Sequence, residues 1–102
     1  MAFTSYHNIL GSVNTDPVLI AKNEGPNNLK NITITNVHAS ADATIDLSIQ
    51  NLDSGGEIYY FVKSLVIVSE ASYIIDIPAL NNAIYSLVMT VGSSDTVDVI
   101  IN

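Results

Sequence analysis

Leu29-Lys30-Asn31-Ile32-Thr33-Ile34-Thr35-Asn36-Val37 is the stretch that decides the fold. Ile32 and Ile34 fall on one side of an extended chain while Thr33 and Thr35 fall on the other, a period of two that belongs to a strand with one buried face. The β-branched side chains suit a pleated surface better than a helix. Downstream, Ala43 to Leu52 repeats the pattern, with Ile45, Leu47 and Ile49 set inward and Asp46, Ser48 and Gln50 outward. The linker Ala39 to Asp42 between these two runs is short, which predicts a hairpin. Upstream, Val18 to Lys22 reads as a short strand between the turn formers Asn14-Thr15-Asp16-Pro17 and the loop Asn23 to Asn28.

Toward the C-terminus, Asp53-Ser54-Gly55-Gly56 offers positive-φ glycines for a tight connection into Glu57 to Lys63. Leu65-Val66-Ile67-Val68 and Tyr73-Ile74-Ile75 carry apolar side chains on both faces, the mark of strands covered on two sides. Pro78 is placed to close the Tyr73 strand, and Asn81-Asn82 to turn the chain before Ile84 to Val91. Gly92-Ser93-Ser94-Asp95 then leads into Thr96 to Ile101. No segment shows helical spacing. About seven to nine short strands at this interval predict an all-β chain, a single antiparallel β-sandwich of jelly-roll or Ig-like type. A first, loosely patterned strand candidate runs from Tyr6 to Val13; residues 14–102 form the expected sandwich, and 1–13 an N-terminal arm with a neighbouring subunit within its reach.

One hundred and two residues suffice for one core and not for two. The chain is 48% hydrophobic and only 13% charged, against about 25% charged residues in ordinary domains. Ten acidic residues face three lysines and no arginine, a formal net charge of -7. Nucleic acid and anionic membrane surfaces are therefore excluded as expected partners, since both depend on basic side chains. The absence of cysteine removes disulfides and thiolate chemistry. Met1 to Leu10 lacks the basic start and apolar run of an export signal. The longest unbroken apolar run, Ile58 to Val62, is far shorter than the roughly 20 residues of a membrane helix.

The surplus of apolar residues needs a destination. If Leu65 and Ile67 face the core, Val66 and Val68 face out. If Ile75 and Ile77 are inside, Ile74 is outside, and with Val97, Val99 and Ile101 inside, Ile100 is outside. Exposed apolar clusters mark interaction surfaces. The expected contact residues are Val66, Val68, Ile74 and Ile100, joined by Phe3, Tyr6 and Ile9 of the arm. A C-terminal strand at a sheet edge would add free backbone groups for a partner.

Residue types that carry chemistry are sparse. His7 and His38 stand at no metal-ligating spacing, and Ser12, Ser64 and Ser93 lie in no nucleophile elbow. Asp46, Asp76 and Asp98 alternate with apolar residues and read as solvated strand faces. Asn51 to Glu57 holds oxygen ligands without EF-hand spacing. Asn31-Ile32-Thr33 matches a glycosylation sequon inside a strand. No catalytic residue, metal or cofactor is assigned, and the chain is read as non-enzymatic. The alternative is a carbohydrate-binding module built on Tyr59, Tyr60 and Tyr85, because tyrosine rings stack on sugars.

Three stretches carry a family likeness: Leu29 to Asn36, Ile58 to Ile67, and Ala83-Ile84-Tyr85-Ser86-Leu87-Val88-Met89. In their order they resemble the small β-sandwich decoration or cement proteins of tailed-phage virions. Where such proteins often carry a Pro-Ala-Gly-Ser turn, this chain has Val68-Ser69-Glu70-Ala71-Ser72. The resemblance implies a virion structural protein assembled in the host cytoplasm. It would bind the outside of the capsid, commonly as a homotrimer, with the major capsid protein or another virion protein as partner. Related sandwiches occur in necks, tails and fibres, so those positions on the particle remain open.

Overall fold

The computed structural model describes residues 3–53, 56–76 and 79–102. Among them run eight strands: β1 (Ser5–Leu10), β2 (Val18–Ile20), β3 (Ile32–Asn36), β4 (Ala43–Gln50), β5 (Ile58–Ile67), β6 (Ser72–Ile75), β7 (Ser86–Val91) and β8 (Thr96–Ile101). They form two four-stranded antiparallel sheets, sheet A in the order β1-β8-β3-β6 and sheet B in the order β2-β7-β4-β5. The chain changes sheet at every step except from β4 to β5, and this order makes the sandwich a jelly roll rather than an Ig-like domain.

The alternation that predicts the strands also builds the core. Sheet A turns Ile9, Ile32, Ile34, Val97, Val99 and Ile101 inward, and sheet B answers with Ile45, Leu47, Ile67, Leu87, Met89 and Val91. All are buried, each side chain contributing about 1.5–3 kcal/mol of apolar transfer. Thr96–Ile101 begins and ends where the sequence places it.

Four expectations are corrected. The first concerns the hairpin between β3 and β4, which do not pair because one lies in each sheet. The short linker instead crosses between sheets around a buried side chain. Asn36 Nδ2 donates to the carbonyls of Ala41 at 2.8 Å and Ile67 at 2.9 Å, and its Oδ1 accepts the His38 N–H at 3.0 Å. His38 Nδ1 in turn accepts the N–H groups of Ser40 and Ala41. These bonds satisfy backbone groups that a crossing would otherwise leave unpaired.

Second, Leu65 to Val68 and Tyr73 to Ile75 are not covered on both sides. The first belongs to β5 and the second to β6, the edge strands at one flank of the sandwich, so Val66 and Ile74 meet solvent. Glu57 to Lys63 and Leu65 to Ile67 are one strand, carried through an irregular register in which Ser64 takes φ +55° and donates its N–H to Asp46 Oδ1 at 2.6 Å. The expected connection into β5 is present as a hairpin, closed by Asn51 N–H to Glu57 O at 2.9 Å with Gly56 at φ +65°. Ser54, Gly55, Ile77 and Pro78, to which the sequence also gave roles, lie outside the described residues.

Third, the C-terminal strand is no edge. β8 sits between β1 and β3, and Asn102 continues the ladder by exchanging backbone bonds with Asn31. A strand whose alternate residues Val97, Val99 and Ile101 are all fully buried needs neighbours on both sides. Fourth, the segment set apart as an arm contributes a sandwich strand: all six residues of β1 pair in unbroken register with β8, from Ser5 opposite Ile101 to Leu10 opposite Thr96. Ile9 is therefore core, at 6% exposure, and not a contact residue. Immediately after β1 the backbones of Gly11 and Gly92 touch, so closely that a Cβ on Gly11 would stand 1.9 Å from the Gly92 carbonyl oxygen.

Candidate interaction surface

The outer face of sheet A carries two rows of side chains across its strands. In one, Tyr6 of β1 stands opposite Ile100 of β8, Ile100 opposite Thr33 of β3, and Thr33 opposite Ile74 of β6. Tyr6 is 73% exposed and Ile74 63%, and Ile100 is exposed between its neighbours. With strands about 4.8 Å apart, the row is an apolar band interrupted by Thr33. The adjacent row is polar and internally bonded: Asn8 donates to Asp98 at 2.6 Å, and the Thr35 and Ser72 hydroxyls share a bond of 2.7 Å. A partner covering the band therefore meets polar groups already satisfied by one another, which lowers the desolvation cost of docking.

Of the expected contact residues, Tyr6, Ile74 and Ile100 are brought together here. Val66 and Val68 are exposed as expected, but Val66 stands opposite Thr44 on the outside of sheet B and Val68 just beyond β5, so they belong to a different face. Phe3 is partly buried against the core. Sequence reasoning passed over the exposed Val18 and Ile58 on sheet B and Leu10 on β1, and gave the exposed Tyr60 only to a sugar-stacking platform. The alternation of β5 would have flagged Tyr60, had its one-residue register shift near Phe61 been visible in the sequence.

The tyrosines do not form one platform. Tyr59 and Tyr85 meet edge to face with ring centroids 5.8 Å apart, whereas Tyr60 pairs with Ser48 on the outer face of sheet B. Lys63 Nζ lies 4.4 Å from the centre of the Tyr60 ring and 3.8 Å from Asp46. The Tyr85 hydroxyl has its pKa raised, first by desolvation and then by the neighbouring Tyr59 and Glu57. In the Asn51 to Glu57 loop, Asn51 donates to Glu57 at 3.1 Å and Asp53 is paired with Lys22. Among the described residues, no three His, Asp or Glu side chains converge in a way that could hold a metal ion.

His7, partly buried on β1, has its Nε2 2.8 Å from the Ser5 hydroxyl, and burial lowers its pKa below the ordinary histidine value. His38 is held within its own loop by the bonds described above.

No protein-family model matches this chain, and no curated protein matches it. Among solved structures, the crystal structure of PirA is similar, with a TM-score of 0.55 and 14% sequence identity over 99% of this chain and 94% of PirA. That likeness is one of fold: it extends along nearly the full length of both chains and agrees with a single β-sandwich domain.

Proposed function

We propose that this chain is a non-enzymatic structural subunit that binds another protein through the outer face of sheet A. The observation that carries the reading is the row of Tyr6, Ile100 and Ile74. These are three large apolar side chains on three of the sheet's four strands, aligned in one row by register with Thr33 between Ile100 and Ile74, and left uncovered. An apolar band flanked by self-satisfied polar groups is suited to a protein surface. The low charge content and the net charge of -7 argue in the same direction, away from nucleic acid.

In its specific form the proposal is a decoration or cement protein on a tailed-phage capsid, located on the virion. The support is the sequence resemblance in Leu29 to Asn36, Ile58 to Ile67 and Ala83 to Met89, together with a jelly-roll architecture, which viral capsid proteins share with lectins. The test is to mix the purified chain with tailed-phage particles assembled without it, then measure co-sedimentation and resistance to heat. The expected result is binding that is lost when Tyr6, Ile74 and Ile100 are all changed to serine. Failure of the unaltered chain to co-sediment would overturn the decoration reading.

A second reading, carbohydrate binding, keeps one specific observation in its favour: the exposed Tyr59 and the half-buried Tyr85 form an aromatic corner beside Glu57. Retardation on a polysaccharide gel, abolished by Tyr85→Ala, would support it over the first.

A further inference from the structure

The four sheet edges are not alike. β2 is three residues long with an irregular register, and β6 has four residues. β5 is long, yet it is broken by register shifts, carries Lys63 and turns through positive φ at Ser64. Short strands, bulges and edge lysines are the devices by which proteins prevent sheets from joining. β1 has none of them: six residues in regular register, without proline, bulge or charged side chain.

The backbone of β1 also has a definite polarity. Just past its end, the Gly11 N–H donates to Asp95 O at 2.8 Å, one step on from the Leu10–Thr96 pair, while the Thr96 carbonyl accepts from Val37 on the opposite side of β8. Antiparallel ladders alternate. Ser5, His7 and Ile9 therefore direct their backbone groups at β8, and Tyr6, Asn8 and Leu10 direct theirs away. The Leu10 carbonyl is occupied by the N–H groups of Val13 and Asn14. What remains is an N–H and a carbonyl on each of Tyr6 and Asn8, together with the Leu10 N–H, five groups on an open edge.

We infer that two copies of this chain join through β1, antiparallel about a two-fold axis at His7, to make one continuous eight-stranded sheet. The free groups are self-complementary in that register. Tyr6 of one copy faces Asn8 of the other, each pair exchanges two N–H to carbonyl bonds, and the axis generates the second pair, so that four bonds use the eight groups of Tyr6 and Asn8. Side chains remain on their proper faces because residues of the same parity oppose one another. Each copy's apolar row then ends against Asn8 of the other, and the two Tyr6 side chains become diagonal neighbours across the seam, within reach for aromatic rings. Although each chain carries net charge -7, β1 contributes none of it, and the one carboxylate beside it in the outer face, Asp98, is hydrogen-bonded to Asn8. The pairing is a two-fold contact in place of the trimer implied by the resemblance, and it stands independently of the docking face proposed above.

The test uses the full chain. Light scattering across a concentration series is expected to give twice the monomer mass at the upper end. Asn8→Pro removes an N–H that points away from β8, so it is expected to halve the mass while leaving the fold intact. His7→Pro removes an N–H spent on β8 and is expected to unfold the chain. Amide exchange of the unaltered protein is expected to slow at Tyr6 and Asn8 as concentration rises. A chain that stays monomeric throughout, a dimer undiminished by Asn8→Pro, or Tyr6 and Asn8 amides that exchange freely at every concentration would overturn the inference.

Discussion

Replacing Asn36 with alanine should remove a large part of this domain's stability. Asn36 is fully buried, and its side chain makes three hydrogen bonds, to the carbonyls of Ala41 and Ile67 and from the His38 N–H. Each is worth about 1 kcal/mol net, and leaving the buried Ile67 carbonyl without a donor adds about 1–3 kcal/mol. The expected loss is about 4–6 kcal/mol, out of the roughly 5–15 kcal/mol that holds a domain of this size together. With a urea slope of about 2 kcal/mol per molar, the unfolding midpoint should fall by about 2–3 M at unchanged slope. Asn36→Asp sharpens the test because it keeps the shape. It preserves the acceptor for His38 but sets a carboxylate oxygen against two carbonyls, so at neutral pH it should cost at least as much as alanine. Folding would raise that carboxyl's pKa, because the protonated form regains a donor. The variant's stability should therefore be best below the unfolded aspartate value of about 3.9 and be lost as pH rises through the folded value. If both variants unfold within 1 kcal/mol of the parent, Asn36 is not the pin of the sheet crossing.

Two further outcomes can be measured directly. Gly11→Ala places a methyl group against the Gly92 carbonyl oxygen, a backbone atom that cannot step aside, and should cost more than about 3 kcal/mol or prevent folding; thermal unfolding reads the result, and a melting temperature within a few degrees of the parent would contradict the close approach. Because burial lowers the His7 pKa, the unfolded chain takes up that proton first as pH falls below about 6.5, so the contribution is intact above that value and declines below it until the folded form also protonates. Melting temperatures at pH 7 and 5.5 should therefore drop more for the parent than for His7→Gln, and equal drops would contradict the assignment.

Much of the fold could be read from the chain because strand burial follows a local rule. Ile32, Ile34, Val97, Val99 and Ile101 are assigned inward by alternation alone, and so they lie. The outward residues Ile74 and Ile100 follow from the same rule. It could not tell which strands are neighbours. β3 and β4 look like a hairpin in sequence because their linker is short, and the deciding group is an asparagine whose partners, at Ala41 and Ile67, come from 5 and 31 residues away. Ile9 likewise looks like part of a loose arm until β8 is laid beside it.

The sequence by itself determined that this protein is an all-β sandwich with a largely apolar interior and more apolar side chains than that interior uses, since period-two patterning and composition are properties of consecutive residues. Only the tertiary structure decided the jelly-roll order, the grouping of Tyr6, Ile100 and Ile74 from three strands into one band, and the open edge on β1. Strand pairing is fixed by contacts between residues distant along the chain, and no local pattern records which strand a given edge will meet.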